Sequence, residues 1–232
     1  MSFILRISLC LLCACWAAAP AAAQQPAPAD SKKNARPGAV EKAPVAEPFD
    51  KATPAEMSRQ CVTLDTEAGA VEIEILGEAA PENARNFLNL AAAGAYDTTT
   101  FSRVVKGFVV QGGDLSTREA LTPALAARAR RTVPDEPNLV KHTRGVVSMA
   151  RTAEPDSATT HFFILVGDAP HLDGSFSAFG RVRAGMEVVD RLNAAEVGGD
   201  APKRPARLRR ATVAPCPAAP QPAAPQPAAP QP

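Results

Sequence analysis

A chain of 232 residues has the length for one domain with tails or for two small ones. Its formal net charge of +1 excludes the global field of a nucleic-acid binder. Seven of the nine phenylalanines lie between Phe87 and Phe179, whereas many of the 23 prolines crowd the ends, so the packable sequence is internal.

Arg6 precedes an apolar run from Ile7 to Ala19, and Ala21, Ala22 and Ala23 stand before Gln24. That is the charged, apolar and small-residue order of a secretory signal peptide over 1–23. It is short for a membrane span, so a periplasmic or secreted chain with no stable membrane span is expected. Leu12-Cys13-Ala14-Cys15 loosely resembles a bacterial lipobox, which keeps open a form anchored by lipid on Cys15. Of five cysteines, Cys10, Cys13 and Cys15 leave with the signal, while Cys61 and Cys216 remain. In an oxidising compartment that pair reads as a disulfide or, failing that, as two inert buried thiols.

Residues 24–58 are rich in Ala, Pro, Lys and Glu without an apolar period, which predicts a disordered linker. Val62 to Thr66 and Val71 to Ile75 alternate strictly around Glu67-Ala-Gly69, the pattern of a hairpin. Pro81 opens a helix, Ala84, Phe87, Leu88 and Ala91 share one face, and Gly94 ends it. Strand-like runs follow at Phe101 to Val105, Phe108 to Gln111, Val146 to Ala150, Phe162 to Val166 and Phe176 to Val182. Leu121, Leu125, Ala126 and Ala129 suggest a short helix. Met186, Val189 and Leu192 suggest a further helix, and Ala211 to Ala214 a last strand. Many short strands with separated helices predict a mainly β domain over 59–216, closed and capped by helices. Residues 217–232 repeat Pro-Ala-Ala-Pro-Gln three times and read as a semi-rigid spacer.

Phe101-Ser-Arg-Val-Val-Lys-Gly-Phe-Val-Val-Gln-Gly-Gly-Asp114 resembles a segment of the cyclophilin family. Gly145-Val-Val-Ser-Met-Ala-Arg151 with Asp156 to Ile164, and Leu172-Asp-Gly174 with Phe179 to Val189, resemble its second and third blocks. The three blocks stand in order between about Val62 and Val213 and are most like bacterial members. The resemblance implies an eight-stranded antiparallel β-barrel capped by two α-helices. It also implies a peptidyl-prolyl cis-trans isomerase (EC 5.2.1.8) acting on proline-containing polypeptide clients during the folding of exported proteins. A proline-peptide-binding chaperone or an envelope assembly factor with little turnover is the alternative. No cofactor, metal or nucleic acid is expected, and a monomer is.

The chemistry asks for no nucleophile. An X–Pro bond turns slowly because amide resonance must be broken, at about 18–20 kcal/mol, and the needs are an apolar slot for the ring and a donor at the twisted amide. Arg103 is the candidate donor, and its spacing from Phe101 predicts that both face one groove. By resemblance, Phe108, Val109, Phe163 and Leu172 line the proline slot, Val109 where the family often has Met. Gln111 matches a glutamine that binds substrate backbone, with Gly112 and Gly113 permitting close approach. Ala150 and Arg151 match the strand that pairs with the extended peptide. Departures are Ser102 and Phe176 at positions often held by His, and His161 where Gln is usual. His171 replaces a Trp, which implies weak cyclosporin binding, and 116–131 replaces a Gly-rich loop. In the family barrel the first and last strands are neighbours, which makes Cys61–Cys216 the expected bridge. Lys203, Arg204, Arg207, Arg209 and Arg210 read as a solvated face.

Overall fold

The structure, a computed structural model, describes residues 46–217. The expected signal peptide, the linker up to residue 45 and the tail after Pro217 lie outside the described residues. In chain order the strands are β1 (Gln60–Thr66), β2 (Gly69–Ile75), β3 (Arg103–Val105), β4 (Val109–Gly112), β5 (Val146–Met149), β6 (Phe162–Leu165), β7 (Ala178–Ala184), β8 (Val197–Gly198), β9 (Ala201–Pro202) and β10 (Leu208–Pro215). The helices are α1 (Pro54–Met57), α2 (Pro81–Ala92), α3 (Pro123–Arg128) and α4 (Met186–Asn193).

Eight strands form one antiparallel sheet in the order β10-β1-β2-β7-β5-β6-β4-β3. Alternation works as expected: Val62, Leu64, Val71 and Ile73 are fully buried, while Asp65 faces solvent and Glu72 and Glu74 are half-buried. The sheet curls until its ends meet. The seam is a single bridge, Thr100 to Arg207, flanked by hydrogen bonds from the Phe101 amide to the Ala206 carbonyl and from Leu208 to Thr99. The barrel expected to be closed is therefore joined at the seam by a bridge and not by a ladder.

Inside it, Phe87 of α2 is the hub of an aromatic cluster, with ring centroids 5.3 Å from Tyr96, 5.2 Å from Phe162 and 4.8 Å from Phe179. The Tyr96 hydroxyl donates to the Thr160 carbonyl at 3.1 Å, so its polar end is satisfied inside the core. Helix α2 packs against β7 and β10, and α4 against β2, β3 and β4.

Strand bounds shift, three of them in ways that bear on the site or the ends of the sheet. β3 begins at Arg103 because Phe101, 2% exposed, turns into the core against Gly112, so it does not share a groove with Arg103. β7 begins at Ala178, and β10 is twice the expected length. The linker expected over 24–58 is ordered from residue 46. Thr53 and Glu56 form a reciprocal capping box on α1, and Met57 is fully buried. Glu47 pairs with Arg128 of α3 at 2.7 Å, and the Phe49 amide donates to Asn89 of α2.

Cys61 and Cys216 form a disulfide with Cα atoms 4.8 Å apart across a sequence separation of 155. Cys61 lies opposite Ala214 in the β1–β10 ladder, so the bridge closes the chain where its two ends already pair. Constraining so long a loop in the unfolded chain stabilises by at most about 5 kcal/mol. Cys61→Ser is expected to keep the fold and to lower the unfolding free energy obtained from chemical denaturation, by no more than that figure. Identical unfolding curves for the variant and the oxidised parent would contradict it.

Candidate active site

The register of four strands draws one row across the outer face of the sheet. Arg103 of β3 lies opposite Gln111 of β4, Gln111 opposite Phe163 of β6, and Phe163 opposite Ser148 of β5. Directly opposed residues point to the same side about 5 Å apart, so a donor, an amide and an aromatic ring stand side by side. Because side chains alternate, Phe162 enters the aromatic core while Phe163 joins a second, outer cluster with Val109, Leu165, Leu172 and Ala178.

Over that cluster lies a hollow of about 160 Å³ lined by Arg103, Phe108, Val109, Gln111, Ala150, Arg151, Phe163, Leu172 and Phe176. Its floor is apolar, and Phe163 and Phe176 meet edge to face at 5.8 Å. Eight of the ten expected groove residues line it. The other two do not. His171 is exposed and packs on Phe108 at 5.6 Å, making part of the rim. His161 lines an adjoining hollow with Gln111, Ala150, Arg151, Thr152, Ser157 and Thr159. Its Nε2 is 3.9 Å from Asp114, too far for a hydrogen bond.

Phe176 is the lining residue that the sequence reading left outside the slot. The Arg151 guanidinium sits 5.0 Å over its ring and pairs with Asp135 at 3.4 Å, so Arg151 acts as a packed wall between the two hollows. The Ala150 amide donates to the His161 carbonyl, so pairing with a peptide at Ala150 falls to its carbonyl.

Arg103 is not alone. Its Nε donates to Oδ2 of Asp200 at 3.0 Å, and Nη2 lies 2.9 Å from the same oxygen as an ion pair. The Asp200 carbonyl in turn accepts from the Val104 amide at 2.8 Å, which ties the β8–β9 hairpin to β3. One edge of the guanidinium is thus taken, and Nη1 remains free of Asp200 for a substrate. Asn193 of α4 braces the β3–β4 turn from below, donating to the carbonyls of Val105 and Val109 and accepting from Gly107.

Gly113 has φ +84°, and a Cβ there would stand 2.3 Å from the Thr160 carbonyl oxygen. The room expected at Gly112 and Gly113 for a ligand is filled by the protein itself, by Thr160 and by the rings of Phe101 and Phe162.

Behind Phe163, Ser148 Oγ is 3.1 Å from His142 Nε2, and His142 Nδ1 is 3.2 Å from Asp173. All of Ser148 and 99% of His142 are buried, so this row offers no nucleophile to substrate and supports the strand beneath the slot. Burial holds the His142 imidazole below the ordinary histidine range; the Asp173 carboxylate opposes this, and His171 adds to it. The His142 amide, with Lys141, holds the Asp173 carboxyl below the usual carboxylate range.

The chain as a whole is similar to known proteins. The family described as cyclophilin type peptidyl-prolyl cis-trans isomerase/CLD matches residues 61–213. Peptidyl-prolyl cis-trans isomerase CYP18-1 of Arabidopsis thaliana is 38% identical over 154 residues, 66% of this chain and 94% of that protein. Peptidyl-prolyl cis-trans isomerase A of Dickeya dadantii is 39% identical over 140 residues, 57% of this chain and 70% of that protein. A Cryptosporidium parvum cyclophilin, crystallised in the presence of the dipeptide Ala-Pro, superposes with a TM-score of 0.59 at 27% identity, covering 66% of this chain and 98% of its own. The chain therefore belongs to the cyclophilin-type peptidyl-prolyl cis-trans isomerase family. No helix among the described residues is long and apolar enough to cross a membrane.

The His142 environment sets a pH dependence. Unfolded chain takes up a proton at this residue near pH 6.5, whereas the native imidazole, with its lowered pKa, does not. Stability is therefore full above that pH and falls as acid is added through it. Asp173 adds its own loss only below about pH 4, where unfolded carboxylates protonate. Urea titrations from pH 7 to 5 are expected to show declining stability in the parent and a flatter profile in His142→Asn. Parallel profiles would remove His142 as the cause.

Proposed function

We propose that this protein accelerates the cis-trans isomerisation of X–Pro bonds in polypeptides folding outside the cytoplasm. The observation that carries the enzymatic part is the shared hollow: an apolar floor of Phe108, Val109, Phe163, Leu172 and Phe176 with the Arg103 guanidinium at its edge. The prolyl ring fills the floor. As the amide twists, its nitrogen loses conjugation and becomes a better acceptor, which an Arg103 N–H meets. That contact is stronger in the twisted form than in either planar isomer, so it lowers the barrier. Gln111, one strand further in and opposite Arg103, is placed to hold the peptide backbone. Asp200 keeps the guanidinium plane fixed, which reduces the entropy lost when the transition state is gripped. An Ala-Pro dipeptide was present in crystals of the Cryptosporidium relative, which supports a prolyl ligand here.

Export rests on the 1–23 pattern and is supported by the disulfide, since such bridges persist in oxidising compartments. Clients are then secreted or envelope polypeptides, and the protein acts as a monomer.

In a protease-coupled proline-peptide assay, Arg103→Ala is expected to lose at least about tenfold in kcat/KM, or about 1.4 kcal/mol of barrier. Asp200→Asn is expected to lose less, because it retains a hydrogen-bond acceptor. A parent that binds proline peptides without accelerating them would establish the binding-module alternative. For export, N-terminal sequencing of the protein from the envelope fraction is expected to begin at Gln24; an intact N-terminus at Met1, or a lipid on Cys15, would contradict simple cleavage.

A further inference from the structure

The chain carries its own supply of the bond that the hollow is shaped to hold. After Pro217 the sequence reads Ala218-Ala219-Pro220-Gln221-Pro222, and the unit recurs to Pro227 and again to Pro232. Residues 218–232 thus contain three Ala–Pro and three Gln–Pro bonds and no charged or aromatic side chain. We propose that this segment docks in the prolyl hollow of its own chain and competes there with client polypeptides. The proposal rests on the isomerase reading of that hollow and names an occupant for it.

The root of the segment supports this. The Pro217 carbonyl accepts from Arg183 Nη1 of β7 at 2.7 Å. Cys216 helps to line a shallow cavity together with Ile75, Leu76 and Val140. Val140 also packs against the outer cluster that holds Val109, Phe163 and Leu172, the floor of the hollow. Val140 therefore touches both the cavity beside Cys216 and the apolar cluster whose members Val109, Phe163 and Leu172 floor the hollow.

Length supports it as well. A polyproline II chain rises about 3.1 Å per residue, so in that form the stretch from Pro217 would span about 25 Å to Pro225 and about 40 Å to Pro230. The described 172 residues (46 to 217) imply a radius of gyration of about 16 Å. The second and third repeats therefore have reach to spare for a groove on the same molecule. Tethering at this length holds an X–Pro bond at an effective concentration in the millimolar range, enough to populate even a weak complex. Chemistry is the third support. Arg103 already has a carboxylate partner in Asp200, so the groove asks for no charge from its ligand, and the segment offers none.

The test compares the full chain with a full-length variant in which Pro220, Pro222, Pro225, Pro227, Pro230 and Pro232 are all replaced by Ala. The amide NMR signals of Val109, Gln111, Ala150 and Phe163 are expected to differ between the two, by amounts unchanged on tenfold dilution. The variant is expected to show kcat/KM for an added proline peptide at least about twofold higher, the factor reached when effective concentration equals the dissociation constant. Coincident pocket signals, or equal kcat/KM in two active proteins, would overturn the proposal. Differences that fade on dilution would overturn it too, because the occupant would then be a second copy. If neither protein accelerates the peptide, the isomerase reading fails by itself, and the pocket signals alone still decide whether the segment docks.

Discussion

The period-two alternation of β4 and β6 is the constraint on which both core and site depend. Val110 and Ile164 point into the barrel, while their neighbours Val109 and Leu165 join the outer cluster. The same step separates Phe162 from Phe163. A slip of one residue in either strand would exchange the two sets, emptying the core and filling the groove with the wrong rings. Function therefore adds little to what folding already demands. The strands that must bury one row of apolar side chains necessarily present the other row outward, and a prolyl ring is a ligand for exactly such a leftover apolar row. Register then does the rest, by setting Arg103 and Gln111 opposite one another at the edge of that row.

Helix α2 shows a second constraint, one of polar satisfaction. Asn83, Asn86 and Asn89 are buried at three-residue spacing. Asn83 donates to the Pro134 carbonyl and to Glu136, Asn86 to the Thr159 carbonyl, and Asn89 to Asp50. Glu136 also accepts from the amides of Glu82 and Asn83, capping a helix whose own N-cap, Ala80, has no side chain to do so. Each buried amide is costly unless bonded, and each bond here ends on a loop. The helix thereby fixes the loops at 134–136 and 159–161, and the latter carries His161 and one wall of the hollow beside the slot.

These two constraints explain what was legible in advance. Strand identity and the apolar face of α2 were readable because alternation and helical period are local patterns. The groove residues were readable through the resemblance of Phe101 to Asp114 and of the two later blocks to the cyclophilin family, since taken alone Phe108, Phe163 and Leu172 read as core. The asparagine stripe reads locally as an exposed polar face, and only the distant loops reveal it as buried. Phe101 failed for a related reason: a two-residue spacing implies a shared face only inside a strand, and the chain enters β3 after it. The order at 46–58 had a local sign in Thr53-Pro-Ala-Glu56, but its anchors, Asn89 and Arg128, are 40 and 81 residues from Phe49 and Glu47. Asp200 had no sign at all. A Gly-Gly-Asp turn announces a bend, not the carboxylate that will meet an arginine 97 residues earlier in the chain.

That last pair bears on how a half-exposed arginine would serve the proposed catalysis. The Arg103 and Asp200 side chains are 43% and 54% exposed, and an ion pair so placed contributes only about 0–1 kcal/mol to stability. Its value is directional instead. A guanidinium is a rigid plane, so fixing Nε and Nη2 on one oxygen also fixes where Nη1 points. The backbone bond from Val104 to the Asp200 carbonyl refers that direction to β3 itself, the strand that carries Arg103. Donor and slot are thus positioned by the same ladder: β3 pairs with β4, β4 with β6, and the slot lies over the row they share. In the proposed mechanism, an interaction nearly worthless for folding would become useful for chemistry, because the twisted amide rewards a donor that is already in place.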